Sequence, residues 1–214
     1  MNTDIVDYWF KHDVSQIPVV LDFWFGANPE LDREMRALFE HDLQDALTRG
    51  PRHLASGSSK EILAGVLLLD QLPRNIYRGT PRAFEHDIAG HELMRMGMAR
   101  GVDGDYSLFQ RIFFYMPLMH AESLADQQEM LERVRTLEPA AGGEGHELWA
   151  LFLGGAEKHR SLIERFGRFP HRNALLGREP TAEERAYLSQ LHEQAASESH
   201  AGGKSFELSQ NADE

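Results

Sequence analysis

Segments with the apolar spacing of an amphipathic helix follow one another along almost the whole of this sequence, and none has the convincing alternation of a strand. In the stretch 31–47, apolar residues recur at the three- and four-residue intervals that place them on one helix face. Ser58 and Glu61 have the spacing of a capping box, and the segment Ile62–Leu69 that follows them is almost wholly apolar. A helix that is apolar all round belongs in the centre of a fold. We therefore predict an all-α fold of about eight antiparallel helices, with no sheet.

The chain of 214 residues is long enough for one well-buried core, and no linker divides it. We expect a single helical domain over residues 16–195, preceded by an N-terminal extension over residues 1–15. Thr181 and Glu184 form a second capping box, which begins the last predicted helix. The final residues, 196–214, are polar and contain glycine, a composition typical of disordered chains, so we predict a disordered tail there.

Composition excludes several classes of function. The formal net charge of -12 argues against nucleic acid and against anionic membranes as partners, because both require a basic surface. The absence of cysteine excludes disulfides, thiol nucleophiles and cysteine-ligated zinc. The first ten residues contain two aspartates and no basic residue, unlike a signal peptide, and no apolar run approaches the roughly 20 residues of a membrane helix. We expect a cytoplasmic protein, and no fingerprint of a cofactor is present.

One loop pattern occurs twice in the sequence, over residues 73–81 and 170–180. Each copy begins and ends with proline and contains an Arg-Asn pair followed, four residues after the asparagine, by glycine. Eight of the 18 arginines lie in and around these loops, although the chain has only 4 lysines. Arginine offers a planar fork of donors that suits carboxylate or phosphate groups. We predict that the two Arg-Asn loops approach one another and form one site, which binds an anionic small molecule or a peptide carboxylate. The candidate ligand-binding residues are Arg74, Asn75, Arg78, Arg168, His171, Arg172 and Asn173.

Three residues are candidates for acid–base chemistry: Asp70, His120 and His171. Asp70 lies near the C-terminal end of the apolar helix, where the helix dipole disfavours a negative charge and Pro73 is expected to end the helix. An acid in such a position usually has a cationic partner. His120 follows a predicted helix break at Pro117, where a histidine can either satisfy a backbone carbonyl or act as a general base. His171 belongs to the second loop and could join either of them.

A cluster of acids and histidines at residues 85–92 resembles a set of metal ligands at first sight. His86 and His91 are five residues apart and point away from each other on a helix, whereas Asp87 and His91 share a face. The HExxH spacing is absent. We interpret this segment as a solvated helix face and predict no metal site.

Four motifs together resemble a known family: Val20–Gly26, Leu69–Phe84, Tyr115–His120 and Arg165–Asn173. They are similar to motifs of the bacterial domain-of-unknown-function family 924, over about Pro18 to Leu191. The resemblance implies an all-helical, tetratricopeptide-like array of antiparallel helix pairs, and it implies no activity. The two Arg-Asn loops lie 98 residues apart, which is close to three repeats of about 34 residues.

Three functional hypotheses remain open at this stage. The first is a binding module that holds an anionic ligand between the two loops. The second is an enzyme in which Asp70, His120 or His171 moves a proton while arginines hold a charged substrate. The third is a structural protein whose loops only clamp helices together. A sheltered pocket with a histidine within about 3 Å of a carboxylate favours the enzyme, and arginines fully occupied by internal acids favour the clamp.

Overall fold

Helices are the only regular structure in the parts of the chain that the computed structural model describes, residues 3–143 and 145–201, with side chains described to residue 194. The α-helices in chain order are α1 Asp4–Trp9, α2 Ile17–Phe25, α3 Pro29–Arg49, α4 Pro51–Leu54, α5 Ser59–Val66, α6 Leu72–Ile76, α7 Asp87–Ala99, α8 Leu108–His120, α9 Leu124–Thr136, α10 Gly145–Phe166 and α11 Ala182–Ala201. The predicted all-α, single-domain fold is confirmed, and the tetratricopeptide-like description stays a prediction. In the described ranges, no helix is both long and apolar enough to cross a membrane.

The described part of the segment expected as an extension, residues 3–15, contributes to the core of the helical domain. Three residues of α1 are buried, and one of them, Trp9, has its ring centroid 5.7 Å from that of Phe113 in α8. The indole nitrogen of Trp24 donates a hydrogen bond of 2.8 Å to the Trp9 carbonyl. The apolar face of α1 therefore packs against the core, where Trp9 contacts Phe23 of α2 and Phe113 of α8.

The last helix, α11, begins at the predicted capping box. The Thr181 amide donates to Glu184 Oε2 at 2.6 Å, and the Glu184 amide donates to Thr181 Oγ1 at 3.1 Å. The helix continues to Ala201, beyond the predicted start of the tail at residue 196. The rest of the predicted tail, residues 202–214, lies outside the described residues.

The apolar helix predicted for the centre of the fold extends further than expected. The capping box of Ser58 and Glu61 starts α5, a π-helix over Leu67–Gln71 follows, and α6 continues from it without a break. The expectation that Pro73 ends this helix is wrong. Pro73 falls in the first turn of α6, where a missing N–H costs no intrahelical hydrogen bond. The side chains of the π-helix are all buried, and they include Asp70.

The helix break predicted at Pro117 lies elsewhere. Pro117 is inside α8, and the chain leaves the helix only at Ala121, before Ser123 caps α9. His120 is therefore the last residue of α8, and not an early residue of a second helix. At this position the nearby backbone carbonyls have no partner within the helix and need donors from elsewhere.

Candidate functional site

The two Arg-Asn loops meet at Asp87, the first residue of α7. Arg74 Nη2 of the first loop lies 3.0 Å from Asp87 Oδ2, and Arg172 Nη1 of the second loop lies 3.7 Å from the same oxygen. The ring of Phe84 lies beside both guanidinium groups, 5.8 Å from that of Arg74 and 4.7 Å from that of Arg172. The prediction that the two loops approach one another is confirmed.

An acid and a histidine form a buried pair next to these arginines. Nδ1 of His120 is 2.9 Å from each carboxylate oxygen of Asp70, whose side chain is fully buried. The Gln71 side-chain amide donates to Asp70 Oδ2 at 2.6 Å, and Arg74 donates to the backbone carbonyl of Asp70. We call the five residues of this region the buried charge cluster: Asp70, Arg74, Asp87, His120 and Arg172.

The two acids of the buried charge cluster have opposite electrostatic environments. Burial by itself would raise the pKa of Asp70, but the neighbouring His120 and Arg74 outweigh burial and hold that pKa below its ordinary value. Burial raises the pKa of Asp87, against the charge of Arg74 and with the help of the negative charge of Asp70. Asp70 is therefore the carboxylate that stays ionised and fixes the imidazole.

The backbone around His120 is held by two side chains from other segments. Arg172 Nη1 donates a hydrogen bond of 3.0 Å to the His120 carbonyl. The Gln127 Nε2 atom lies within 3.2, 2.6 and 2.8 Å of the carbonyl oxygens of Leu118, Met119 and Ala121. These donors satisfy the carbonyls that the end of α8 leaves without partners, so the position of His120 is fixed from both sides.

A cavity of about 490 Å³ opens beside the buried charge cluster. Asp87, His120 and Arg172 line it on the polar side. Five apolar residues also line it: Phe84, Ile88, Pro117, Ala121 and Leu176. Nδ1 of His120 is engaged by Asp70, so a molecule in the cavity would have to use the other ring nitrogen, Nε2.

The remaining predicted residues of the first loop contact a different acid. Arg78 binds Asp32 of α3 through two parallel hydrogen bonds, Nε to Oδ2 at 2.9 Å and Nη2 to Oδ1 at 3.1 Å. Asn75 Nδ2 donates to Asp32 Oδ1 at 3.2 Å. These contacts tie the first loop to α3, away from the cavity.

The remaining predicted residues of the second loop contact α11. Arg168 binds the Glu184 carboxylate at 2.7 and 2.8 Å, and the buried side chain of Asn173 makes no hydrogen bond within the described residues. The ring centroid of His171 lies 5.4 Å from that of Phe169, and His171 does not line the cavity. The structure therefore brings Asp70, Arg74, His120 and Arg172 together and leaves the other candidates outside this group.

Each of the eight arginines in and around the two Arg-Asn loops has a carboxylate oxygen within 4.0 Å. The pairs not yet described are Arg82–Glu85, Arg160–Glu164, Arg165–Glu183 and Arg178–Glu122. The excess of arginine in these stretches is thus matched by acids of the chain itself.

Sequence reasoning missed two residues of the site, Asp87 and Gln127. Asp87 was interpreted as part of a solvated helix face, yet its side chain is only 23% exposed and joins the two loops. Its place in the first turn of α7 is a signal that could have been used, because a helix N-terminus favours an acid there. Gln127 has no comparable local signal. Within the described residues, no group of three or more potential ligands is arranged to hold a metal ion.

Comparison with known proteins places the chain in a family. A family model described as a bacterial protein of unknown function, DUF924, matches residues 5–192. A solved structure of a protein of unknown function, ATU0120 from Agrobacterium tumefaciens, is 37% identical, with a TM-score of 0.72 over 87% of this chain and 96% of that one. No functionally curated protein matches. The chain therefore belongs to the DUF924 family of bacterial proteins.

Proposed function

We propose that the cavity beside the buried charge cluster is the active site of an enzyme in which His120 moves a proton. The observation that carries this proposal is the contact between His120 Nδ1 and both oxygens of Asp70 at 2.9 Å, in a residue that also lines the cavity. A histidine held by a buried carboxylate, with its second nitrogen open to a pocket, is a recurrent arrangement for general acid–base catalysis.

The chemistry of the pair follows from its protonation states. An ionised Asp70 can only accept, so Nδ1 of His120 carries a hydrogen and Nε2 of the neutral ring carries a lone pair. Nε2 can then take a proton from a substrate or from a water molecule, and Asp70 stabilises the imidazolium that forms. The same nitrogen returns the proton to the product.

The position of Arg172 favours a substrate that carries a negative charge. Its guanidinium lines the cavity and lies between two rings, 4.7 Å from Phe84 and 4.4 Å from Phe169. A planar guanidinium held in this way is ordered in advance, so little side-chain entropy is lost when it meets a carboxylate. The anionic small molecule proposed from the sequence is therefore assigned to this cavity.

The experiment follows proton transfer without assuming the reaction. The protein is incubated in D₂O with a set of small carboxylic acids, their esters and their amides, and NMR records both deuterium incorporation and new products. We expect His120→Gln to lower the rate by about 10² to 10⁴. His41→Gln, on the exposed side of α3, is the control and should leave the rate unchanged. A rate that survives His120→Gln, or no reaction with any compound, contradicts the proposal.

A purely structural role of the two loops is the second candidate. It is favoured by the bidentate pair of Arg78 with Asp32 and by that of Arg168 with Glu184, which bind each loop to a neighbouring helix. In this case the buried charge cluster would fix helix ends only, and no anion would stabilise the protein. Urea unfolding with and without added acetate and phosphate tests that alternative.

A further inference from the structure

Two exposed aliphatic side chains border the cavity of the proposed active site. Ile88 is 78% exposed and Leu176 is 38% exposed, although residues of this kind are usually buried. Both line the cavity together with Phe84 and Pro117. We call these four residues the apolar wall. Its exposure leaves apolar surface in contact with water that a ligand in the cavity would cover.

The acids that line the cavity are all engaged by cations of the chain. Asp87 binds Arg74 at 3.0 Å, and Glu122 binds Arg178 at 2.6 Å. Asp126 accepts from Arg95 and lies 3.2 Å from His91 Nε2. Lining acids of this kind present no unbalanced negative charge to a ligand.

Charge balance around the cavity favours one negative charge in the ligand. Four acids, Asp70, Asp87, Glu122 and Asp126, are matched by four arginines, Arg74, Arg95, Arg172 and Arg178. Once His120 has taken a proton in the proposed reaction, it adds one positive charge next to Asp70. A single carboxylate beside His120 would balance it, whereas a second anionic group would meet the apolar wall and lose its hydration without compensation.

We propose that the ligand of this cavity is a small monocarboxylic acid with an apolar chain or ring. Its carboxylate lies against His120 and Arg172, and its apolar part covers the apolar wall. The cavity of about 490 Å³ is within the range of about 300–1,000 Å³ that small-molecule sites have. The inference rests on the proposed function for the role of His120, and it adds the class of substrate.

The first test measures binding by calorimetry to the full chain, with acetate, hexanoate and octanoate as the probes. Burial of added methylene groups should tighten binding by about tenfold for each two carbons. Hexylamine, which has the same chain and the opposite charge, should bind at least tenfold more weakly than hexanoate. An affinity that does not depend on chain length, or equal binding of hexylamine and hexanoate, overturns the inference.

The second test changes the apolar wall. Ile88→Asn and Leu176→Asn should each weaken octanoate binding by about tenfold and acetate binding by less than twofold, with no change in the thermal midpoint, because both side chains are exposed. Leu38→Asn is the matched control, since Leu38 is 51% exposed on α3 and lies outside the cavity. Octanoate binding that both cavity variants leave unchanged overturns the inference.

The two proposals can fail separately. In one outcome, binding depends on chain length, on Ile88 and on Leu176, but turnover survives His120→Gln. This outcome would contradict the enzymatic role of His120 and support the assigned ligand class. Turnover that requires His120 but is insensitive to chain length and to both asparagine variants would overturn the ligand class and support the enzyme.

Discussion

Both carboxylate oxygens of Asp70 lie 2.9 Å from Nδ1 of His120, a residue 50 positions further along the chain. The contact joins the π-helix in the middle of the fold to the last residue of α8. Since both side chains are buried, bulk water cannot take the place of either partner. This pair therefore links the centre of the fold to the wall of the cavity.

Replacement of Asp70 by asparagine should destabilise the protein severely. The Asp70→Asn variant removes the negative charge that faces His120 and Arg74 in a buried site, and an uncompensated buried charge costs about 3–5 kcal/mol. Urea unfolding at pH 7 measures the loss. Glu85→Gln, which alters an exposed pair 3.9 Å from Arg82, is the control and should change the unfolding free energy by less than about 0.5 kcal/mol. Equal effects of the two variants would contradict this account.

The Arg172→Ala variant tests whether the guanidinium of Arg172 stabilises the fold or serves only to bind a ligand. The side chain of Arg172 is 4% exposed, donates to the His120 carbonyl and lies between two phenyl rings, so we expect a loss of about 3 kcal/mol. Arg82→Ala, at an arginine that is 54% exposed, should cost less than about 0.5 kcal/mol in the same urea titration. A change within about 0.5 kcal/mol for Arg172→Ala would mean that its charge is not required by the fold.

Glu184 should make stability depend on acid pH. Its hydrogen bond from Arg168 lowers its pKa from 4.5 to about 2, so the folded state binds this proton less readily than the unfolded state. The stabilisation is complete above pH 4.5 and is lost as the pH falls towards 2. We expect Glu184→Gln to cost about 1 kcal/mol at pH 7, a value that allows for the partial exposure of Arg168, and little near pH 2.

Unfolding of the wild type and of Glu184→Gln across pH 2–7 measures this dependence. Glu183→Gln is the matched control, because the neighbouring Glu183 forms an exposed pair with Arg165. A difference between the wild type and Glu184→Gln that stays constant over this range would refute the assignment.

Gly97 allows α7 to pack closely against its neighbours. A Cβ atom at this position would lie 2.9 Å from Phe114 Cζ and 3.0 Å from Ile62 Cγ2, so Gly97→Ala should destabilise the fold by about 1–3 kcal/mol. Gly154 lies on the exposed side of α10 with no atom within 4 Å of its added Cβ. Gly154→Ala should therefore stabilise the protein by about 0.5–1 kcal/mol. Thermal unfolding of the two variants should shift in opposite directions, and a shift in the same direction would contradict the packing argument.

The features that could be predicted from the sequence are those set by local chemistry. The capping boxes at Ser58 and Thr181 each need only two residues at a fixed spacing, and both are confirmed. The meeting of the Arg-Asn loops was also predictable, because both loops carry an excess of arginine that needs negatively charged partners. The acid that they share, Asp87, was not identified.

The features that could not be predicted depend on packing between distant segments. The acids that occupy Arg78 and Arg178 are 46 and 56 residues away, at Asp32 and Glu122, so the loops alone suggested unpaired charges. Similarly, no spacing in the sequence shows that Gln127 reaches the end of α8. The end of the central helix was predicted wrongly for a local reason. The π-helix ends just before α6, so Pro73 falls in the first turn of α6 and does not end the helix.

The π-helix of Leu67–Gln71 gives the central helix one residue more than a regular α-helix would hold over the same length. Deletion of a single residue, such as Leu68, would restore an uninterrupted α-helical register while α5 and α6 kept their places. The wide turn would close into an ordinary α-helical turn, so the residues that now form it would change direction while both flanking helices would not. Asp70 lies in that wide turn and would lose the backbone position that now directs its carboxylate to His120. The contact between Asp70 and His120 can thus be lost through one deletion without the loss of the central helix.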